Sequence, residues 1–340
     1  MTGERENPPR RLGWIRESLE RYFARPTNAI ALGVLVLVMV IALCADFLAS
    51  DKPIACHVGG RFYLFPNFVE YKELADLDNQ AIETEIARGG GFAMLPLVPY
   101  GPNQVKVLGS VGWLEAPSAD HLLGTDDSGR DVFARLVHGA RSAELVGVGS
   151  MILSTLLGVL LGALAAYFGG FADRIVRVLV ESLSAFPAFF LILAIQGLLG
   201  VASPLQLMIV IAATRFTDVA QVTRAEVLRT VNEEYVDAAR ALGLNHAQIL
   251  FRHVLPGTFG PVIVSATFGV ASAILIESTL SFLGYGVLPP TASWGQLLAD
   301  AFDNDGCYWL VIFPGVLLTA TVLCVNLVGE GLREAVDPGE

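Results

Sequence analysis

The feature that most constrains this chain is a set of long stretches without Asp, Glu, Lys or Arg, the clearest being Leu145–Phe171, uncharged over 27 residues. A hydrocarbon core takes about 20 apolar residues per helix, and this sequence offers six such spans. The first runs from Thr27 to Ala45, and the second is Leu145–Phe171. Ser182 to Thr214 is long enough for two, with Ser203-Pro204 as the natural break. The fifth lies between Gly257 and Leu283, and the sixth between Cys307 and Gly329. Backbone groups in lipid must be satisfied internally, which leaves helices or a closed barrel, and runs this continuous exclude the barrel. The composition agrees: 54% of residues are hydrophobic and 16% charged. The expected fold is therefore an all-α membrane protein of six transmembrane helices.

The first span follows an Arg-rich leader (Arg5, Arg10, Arg11, Arg16, Arg21, Arg25) and exceeds the length of a secretory signal's apolar region, so it reads as a signal anchor. Short cytoplasmic segments collect positive charge. The leader, Arg174 and Arg177, the Arg224 to Arg252 segment and Arg333 together put both termini inside. The segment with Asp300, Asp303 and Asp305 suits the outer side. The net charge of −11 then reflects acidic outer loops and termini, and no nucleic-acid partner is expected. Cys44 and Cys324 fall in the spans as small apolar residues. Cys56 and Cys307 both fall outside, where a disulfide depends on geometry.

These spans divide the chain into a cytoplasmic leader (1–27), transmembrane helix 1 (28–50), an extracytoplasmic insert with the segment before helix 2 (51–141), a permease core of helices 2–6 (142–331) containing a cytoplasmic loop at 229–256, and a cytoplasmic tail (332–340). The insert is too long for a simple connection. Its aromatics and prolines (Phe62, Tyr63, Phe65, Pro66, Tyr71, Pro96, Pro99, Tyr100) and its Gly89-Gly90-Gly91 run suggest a small folded module, low in helix. A partly ordered loop is the alternative. In the cytoplasmic loop, Asn232 is expected to cap a helix whose first turn carries Glu233 and Glu234. Gly243 stands where a left-handed C-cap belongs, and Asn245 caps a second short helix that Pro256-Gly257 ends. Tyr235, Ala238, Ala239 and Leu242 share one face at helical spacing, which suggests a docking surface.

Asp237-Ala238-Ala239, three residues, Gly243, nine residues, then His253-Val254-Leu255-Pro256 resembles the "EAA" loop of binding-protein-dependent ABC importer permeases, which reads Glu-Ala-Ala, x3, Gly, x9, Ile-x-Leu-Pro. Asp replaces Glu here and His replaces Ile. The flanks Tyr235–Gly243 and Arg252–Pro256, with Gly124-Thr125-Asp126-Asp127-Ser128-Gly129-Arg130-Asp131, Ser281-Phe282-Leu283-Gly284-Tyr285-Gly286 and Pro289-Pro290, resemble the oligopeptide/dipeptide/nickel branch, C-type subunit. The insert beginning Ser50-Asp51-Lys52-Pro53 and the ending Gly329-Glu330 to Asp337-Pro338 look like the microcin-C/oligopeptide type. The resemblance covers about residues 20–50 and 120–340. It implies a type I ABC importer permease fold in a bacterial inner membrane, surrounded by lipid, with a second permease subunit, two ATPase subunits and an extracytoplasmic substrate-binding protein as partners. It implies no cofactor in this chain, with ATP and Mg on the ATPase subunits. Carried over by position, the docking residues are Asp237, Ala238, Ala239, Gly243 and Leu244, with His253, Leu255 and Pro256 closing the motif. Oligopeptide, dipeptide, nickel chelate and peptide-like antibiotic all fit as solute.

The chain has three lysines, Lys52, Lys72 and Lys106, and none follows glycine, so no P-loop is possible. HExxH, GxSxG and paired CxxC motifs are absent as well. The chain is therefore not expected to be an enzyme.

Ionisable residues within spans are functional candidates, because isolated charge there is costly. Glu181, Arg215 and Glu277 are the three. Ser265, Gly269, Ala273 and Glu277 share a helix face, so Glu277 is expected to face protein or pore, either contacting substrate or bonding a neighbouring helix. Glu181 and Arg215 are expected to pair. Gly158, Gly162 and Ala166 form a small stripe suited to close helix packing. An ion-coupled secondary transporter is the alternative function, but it predicts an internal symmetry that this sequence does not display. A scaffold with an outer sensory module accounts for the insert but not for the docking motif.

Overall fold

The computed structural model describes residues 11–105, 113–200 and 203–336. Arg5, Arg10, Lys106 and the Asp337-Pro338 ending lie outside the described residues. The described helices are α1 (Arg11–Ala24), α2 (Pro26–Leu43), α3 (Ala45–Leu48), α4 (Asn79–Gly89), α5 (Val132–Phe168), α6 (Gly170–Ser184), α7 (Ala188–Leu199), α8 (Pro204–Thr230), α9 (Glu234–Ala241), α10 (His246–Ile249), α11 (Leu255–Phe282), α12 (Trp294–Asp303) and α13 (Tyr308–Val336). Three short strands, β1 (Ala55–Val58), β2 (Arg61–Leu64) and β3 (Phe92–Met94), belong to the insert.

Among the described residues, α2, α5, α8, α11 with α10 ahead of it, and α13 are long and apolar enough to cross a membrane. The sixth span expected from the sequence differs. The first half of Ser182–Thr214 is not one straight helix: α6 and α7 are bent by 85° across residues 185–187, so the pair counts as a broken span or a re-entrant loop. Pro187 is the physical reason, because its ring removes a donor and restricts the residue before it. The break at Ser203-Pro204 is as expected. Ser203 caps α8 by accepting from the Gln206 N–H at 3.2 Å, and Pro204 takes the first helical position.

Helix α5 also departs from the expected bounds. It begins at Val132 rather than near residue 142, with the Asp131 carboxylate accepting from the Ala134 N–H at 2.9 Å. Its 37 residues span about 55 Å at 1.5 Å per residue, more than a bilayer core. The last ten residues of the segment 51–141 are therefore helical, the first turns of α5. At the other end, α2 stops at Leu43 and resumes after Cys44 as α3.

The Gly158/Gly162 stripe packs as anticipated. A Cβ at Gly158 would lie 2.6 Å from Val219 Cβ, and one at Gly162 would lie 2.5 Å from the Ala220 carbonyl oxygen. Only hydrogen at these positions lets α5 and α8 approach so closely. Helices α11 and α13 close the bundle against α5 and α2, where Val38, Leu136, Ile274, Trp294 and Leu310 are buried together.

The insert is a folded module. Its antiparallel sheet has the order β2-β1-β3, with His57 opposite Phe62 on one side and Phe92 on the other. One sheet face buries Cys56, Val58 and Tyr63 against Ile82 of α4. The other leaves Phe62 and Phe92 exposed, their ring centroids 5.9 Å apart. The Lys52 ammonium anchors the chain into α4 by donating to the carbonyls of Leu74 at 2.6 Å, Ala75 at 2.9 Å and Leu77. All four cysteines are free thiols, so Cys56 and Cys307 are not bridged.

Candidate functional site

The segment from α9 to α10 sits at the end of the bundle where α5 and α8 finish and α11 begins. Tyr167 near the end of α5 lies with its hydroxyl 3.1 Å from His246 Nδ1. The residue before α9 is Glu233, not Asn232. The Asn232 amide donates back to the Leu228 carbonyl at 2.8 Å, closing α8 instead of opening α9. The turn after α9 is as expected. Gly243 has φ +77, its N–H donates to the Arg240 carbonyl at 3.0 Å, and the Leu244 N–H reaches the Ala239 carbonyl at 3.3 Å. This pair of bonds is a Schellman closure, which needs the left-handed residue that glycine supplies without strain. Asn245 then forms a capping box with Gln248, accepting from its N–H at 2.8 Å while the Asn245 N–H donates to the Gln248 side chain at 3.1 Å.

Pro256-Gly257 does not end the second helix. A single π-helical turn over Leu250–Val254 joins α10 to α11, and Pro256 sits in the first turn of α11, where a missing N–H costs nothing. The expected shared face also divides. Val236 and Ala239 are buried with Ile249, Leu250, Val254 and Leu255 against Ala163 and Ala166 of α5. Ala238, Tyr235 and Leu242 face outward, Leu242 at 82% exposure. Ala239 thus anchors the segment, and the exposed turn is Tyr235, Ala238, Leu242 and Gly243. A Cβ at Gly243 would meet nothing within 4 Å.

Of the other motif residues, Asp237 is exposed and paired with Arg240 at 2.9 Å. Leu244 is half-buried and Pro256 exposed. The His253 carbonyl accepts from the Tyr235 hydroxyl at 3.2 Å, tying α9 to the start of α11. Partial burial, with the charge of Glu233 adding to it, raises the Tyr235 phenol above its ordinary pKa, so it stays a donor at neutral pH.

The three intramembrane candidates fare differently. Glu277 is fully buried. Its Oε1 accepts from Ser281 at 2.9 Å and Ser293 at 2.8 Å, and its Oε2 accepts from Ser278 at 3.2 Å. Ser281 in turn accepts from the Val287 N–H at 3.1 Å. The carboxylate therefore fastens the connection between α11 and α12.

Glu181 and Arg215 do not meet. Glu181 is exposed beside Arg177 at 4.0 Å, and Arg215 pairs with Asp218 on its own helix at 3.0 Å. The expected bridge between α6 and α8 exists through other residues: Arg224 holds Asp173 in two bonds of 2.6 and 3.0 Å. The reason is helical phase. Arg215 and Arg224 are nine residues apart, about two and a half turns at 3.6 residues per turn, so they lie on opposite faces.

Two features escaped the sequence reading. Glu144 lies inside α5, one residue ahead of the uncharged run beginning at Leu145, and the cap at Asp131 was the signal that the helix starts earlier. The second is a knot at the opposite end of the bundle from α9. There Asp126 Oδ2 lies 2.7 Å from Arg130 Nε and 3.2 Å from Arg135 Nε, and Asp300 Oδ2 stands 4.0 Å from Arg130 Nη2. Arg135 also donates to Gln296 Oε1 at 2.7 Å. Burial, with Asp127 and Asp126 adding to it, pushes the Asp300 carboxyl up to about 6.

The described residues thus form an all-α bundle with five helices, and a bent pair as a sixth, long and apolar enough to cross a membrane. The family described as the binding-protein-dependent transport system inner membrane component matches residues 158–340, and this chain belongs to it. The chain is 39% identical over 287 residues to a di/tripeptide transport system permease protein of Pseudomonas aeruginosa, covering 80% of this chain and 94% of the relative. It is 38% identical over 226 residues to a dipeptide transport system permease protein of Alkalihalophilus pseudofirmus, covering 66% and 74%. A putative peptide permease protein of Brucella suis is 40% identical over 253 residues, covering 73% and 82%. The chain is thus an all-α inner-membrane transport component, not an enzyme, and the system it serves includes a substrate-binding protein and an ATPase.

Proposed function

We propose that this chain is one permease subunit of an ATP-driven importer of peptides or peptide-like solutes, supplying half of the translocation pathway beside a second permease subunit. The α9–Gly243–α10 turn docks into one of two ATPase subunits, which carry the ATP and Mg. Both termini and this turn face the cytoplasm. The insert, α12 and the Asp126 knot face outward, toward the substrate-binding protein. The observation that carries this reading is the exposed turn of Tyr235, Ala238 and Leu242, fixed by a Schellman closure and a capping box and rooted in α5 through Ala239. A rigid apolar knob is what a docking groove can push. The peptide assignment rests on the three relatives' names.

The test is uptake of a labelled tripeptide into proteoliposomes holding the purified assembly, with the binding protein outside and nucleotide inside. Uptake that requires hydrolysable ATP supports the reading. Uptake that persists without nucleotide and collapses with an uncoupler contradicts it and marks an ion-coupled carrier.

A further inference from the structure

Glu144 lies in a spanning helix, half-buried, and has neither a hydrogen bond nor an ion pair among the described residues. It lines a cleft of about 450 Å³ between α2, α5, α11 and α13, whose walls include Leu35, Met39, Ile152 and Ile263. A second observation points the same way. The Thr155 hydroxyl, also lining this cleft, is buried without a hydrogen-bond partner. Eleven residues separate it from Glu144, about three turns, so both groups lie on one face of α5.

A lone carboxylate facing hydrocarbon is costly, so this face meets protein or solute rather than lipid. The cleft extends along α5 from Glu144 to Leu156, roughly 18 Å at 1.5 Å per residue. The volume is that of a small-ligand site, and its polar side chains are the unpaired Glu144 carboxyl and three threonines, of which Thr267 and Thr321 bond their own helix and Thr155 has no partner.

We infer that Glu144 is a specificity-determining residue in a subsite of the translocation path, where it receives the cationic group of a passing solute while the apolar walls accept the rest. This rests on the permease reading above. It also separates the two acids on spanning helices that bear on the path: Glu277 is sealed by serines, whereas Glu144 is free to receive a charge.

The experiment uses the whole transporter in proteoliposomes and compares uptake of Ala-Lys-Ala with that of Ala-Glu-Ala. The binding protein is the same throughout, so the ratio of variant to wild type cancels its preference. Glu144→Gln is expected to lower Ala-Lys-Ala uptake about tenfold, the scale of one lost charge-assisted bond, and to change Ala-Glu-Ala uptake less than twofold. Glu144→Asp keeps the discrimination, which a packing role would not. Equal changes for both peptides, or none, overturn the inference. So does loss of the second permease subunit from purified Glu144→Gln, which would assign the carboxylate to a subunit contact. Uptake by wild type that needs no ATP fails the permease reading, while the charge discrimination is scored independently.

Discussion

The Glu277 knot and the α9–α10 turn stand at opposite ends of α11, and both are built from polar groups at helix ends. In the first, the chain answers itself: one buried carboxylate takes three serine hydroxyls, and Trp294 donates to the Leu136 carbonyl at 2.9 Å. In the second, backbone groups are closed by capping, but Leu242 and Ala238 are left outward, and Tyr235 stays half-exposed while its hydroxyl bonds the His253 carbonyl. The difference separates a joint that holds the bundle from a surface held ready for another protein. Substitutions in the closed regions should lower the stability of the bundle, and those in the open region should uncouple it without unfolding it.

The sharpest way to break this contrast is in the closed α5/α8 seam. Gly162→Leu would force a side chain where a Cβ already lies 2.5 Å from the Ala220 carbonyl. It should cost about 3 kcal/mol or more and appear as aggregation of the detergent-purified protein at markedly lower temperature. Glu277→Ala comes next. It leaves three buried hydroxyls without their acceptor, at about 2 kcal/mol, measured as a drop of several degrees in thermal unfolding. If it instead leaves stability unchanged and stops transport, the knot belongs to the pathway.

Asp300 extends the comparison to pH. Its folded pKa of about 6 lies above the ordinary carboxylate value, so the folded state holds the proton longer than the unfolded state does. Stability from this group is full below about pH 4 and is lost as pH rises to about 6. Asp300→Asn should flatten that slope in thermal unfolding scans across pH. The smallest expected effect is in the open region. Asn245→Ala removes the capping box at about 1 kcal/mol. It should speed amide exchange in 244–250 and slow transport while leaving bundle melting unchanged.

The helices and the turn were legible where the signal was local. Gly243 declared its left-handed turn, Asn245 its cap, and Ser203-Pro204 the start of α8, because capping chemistry is decided within four residues. The Gly158/Gly162 stripe was legible because small residues at helical spacing have one common use in lipid. Contacts that depend on rotation about a helix axis were not. The expected Glu181–Arg215 bridge used the right pair of helices but ignored that Arg215 is turned away from Arg224, the residue that reaches α6. Ala239 was assigned to the docking face, yet spacing alone does not say which flank of a short amphipathic helix the bundle covers. Glu144 was missed because counting uncharged residues begins a span only after the last charge.

The central claim is that the outward side of the α9–Gly243 turn docks the ATPase. Single cysteines at Leu242→Cys and Ala239→Cys, introduced into the assembled transporter and treated with a short bifunctional thiol reagent, test it most directly. The account predicts a crosslink to the ATPase subunit from the exposed position 242 that changes in yield when ATP is bound, and none from buried position 239. No ATPase crosslink at 242 in an assembly that transports normally would contradict it.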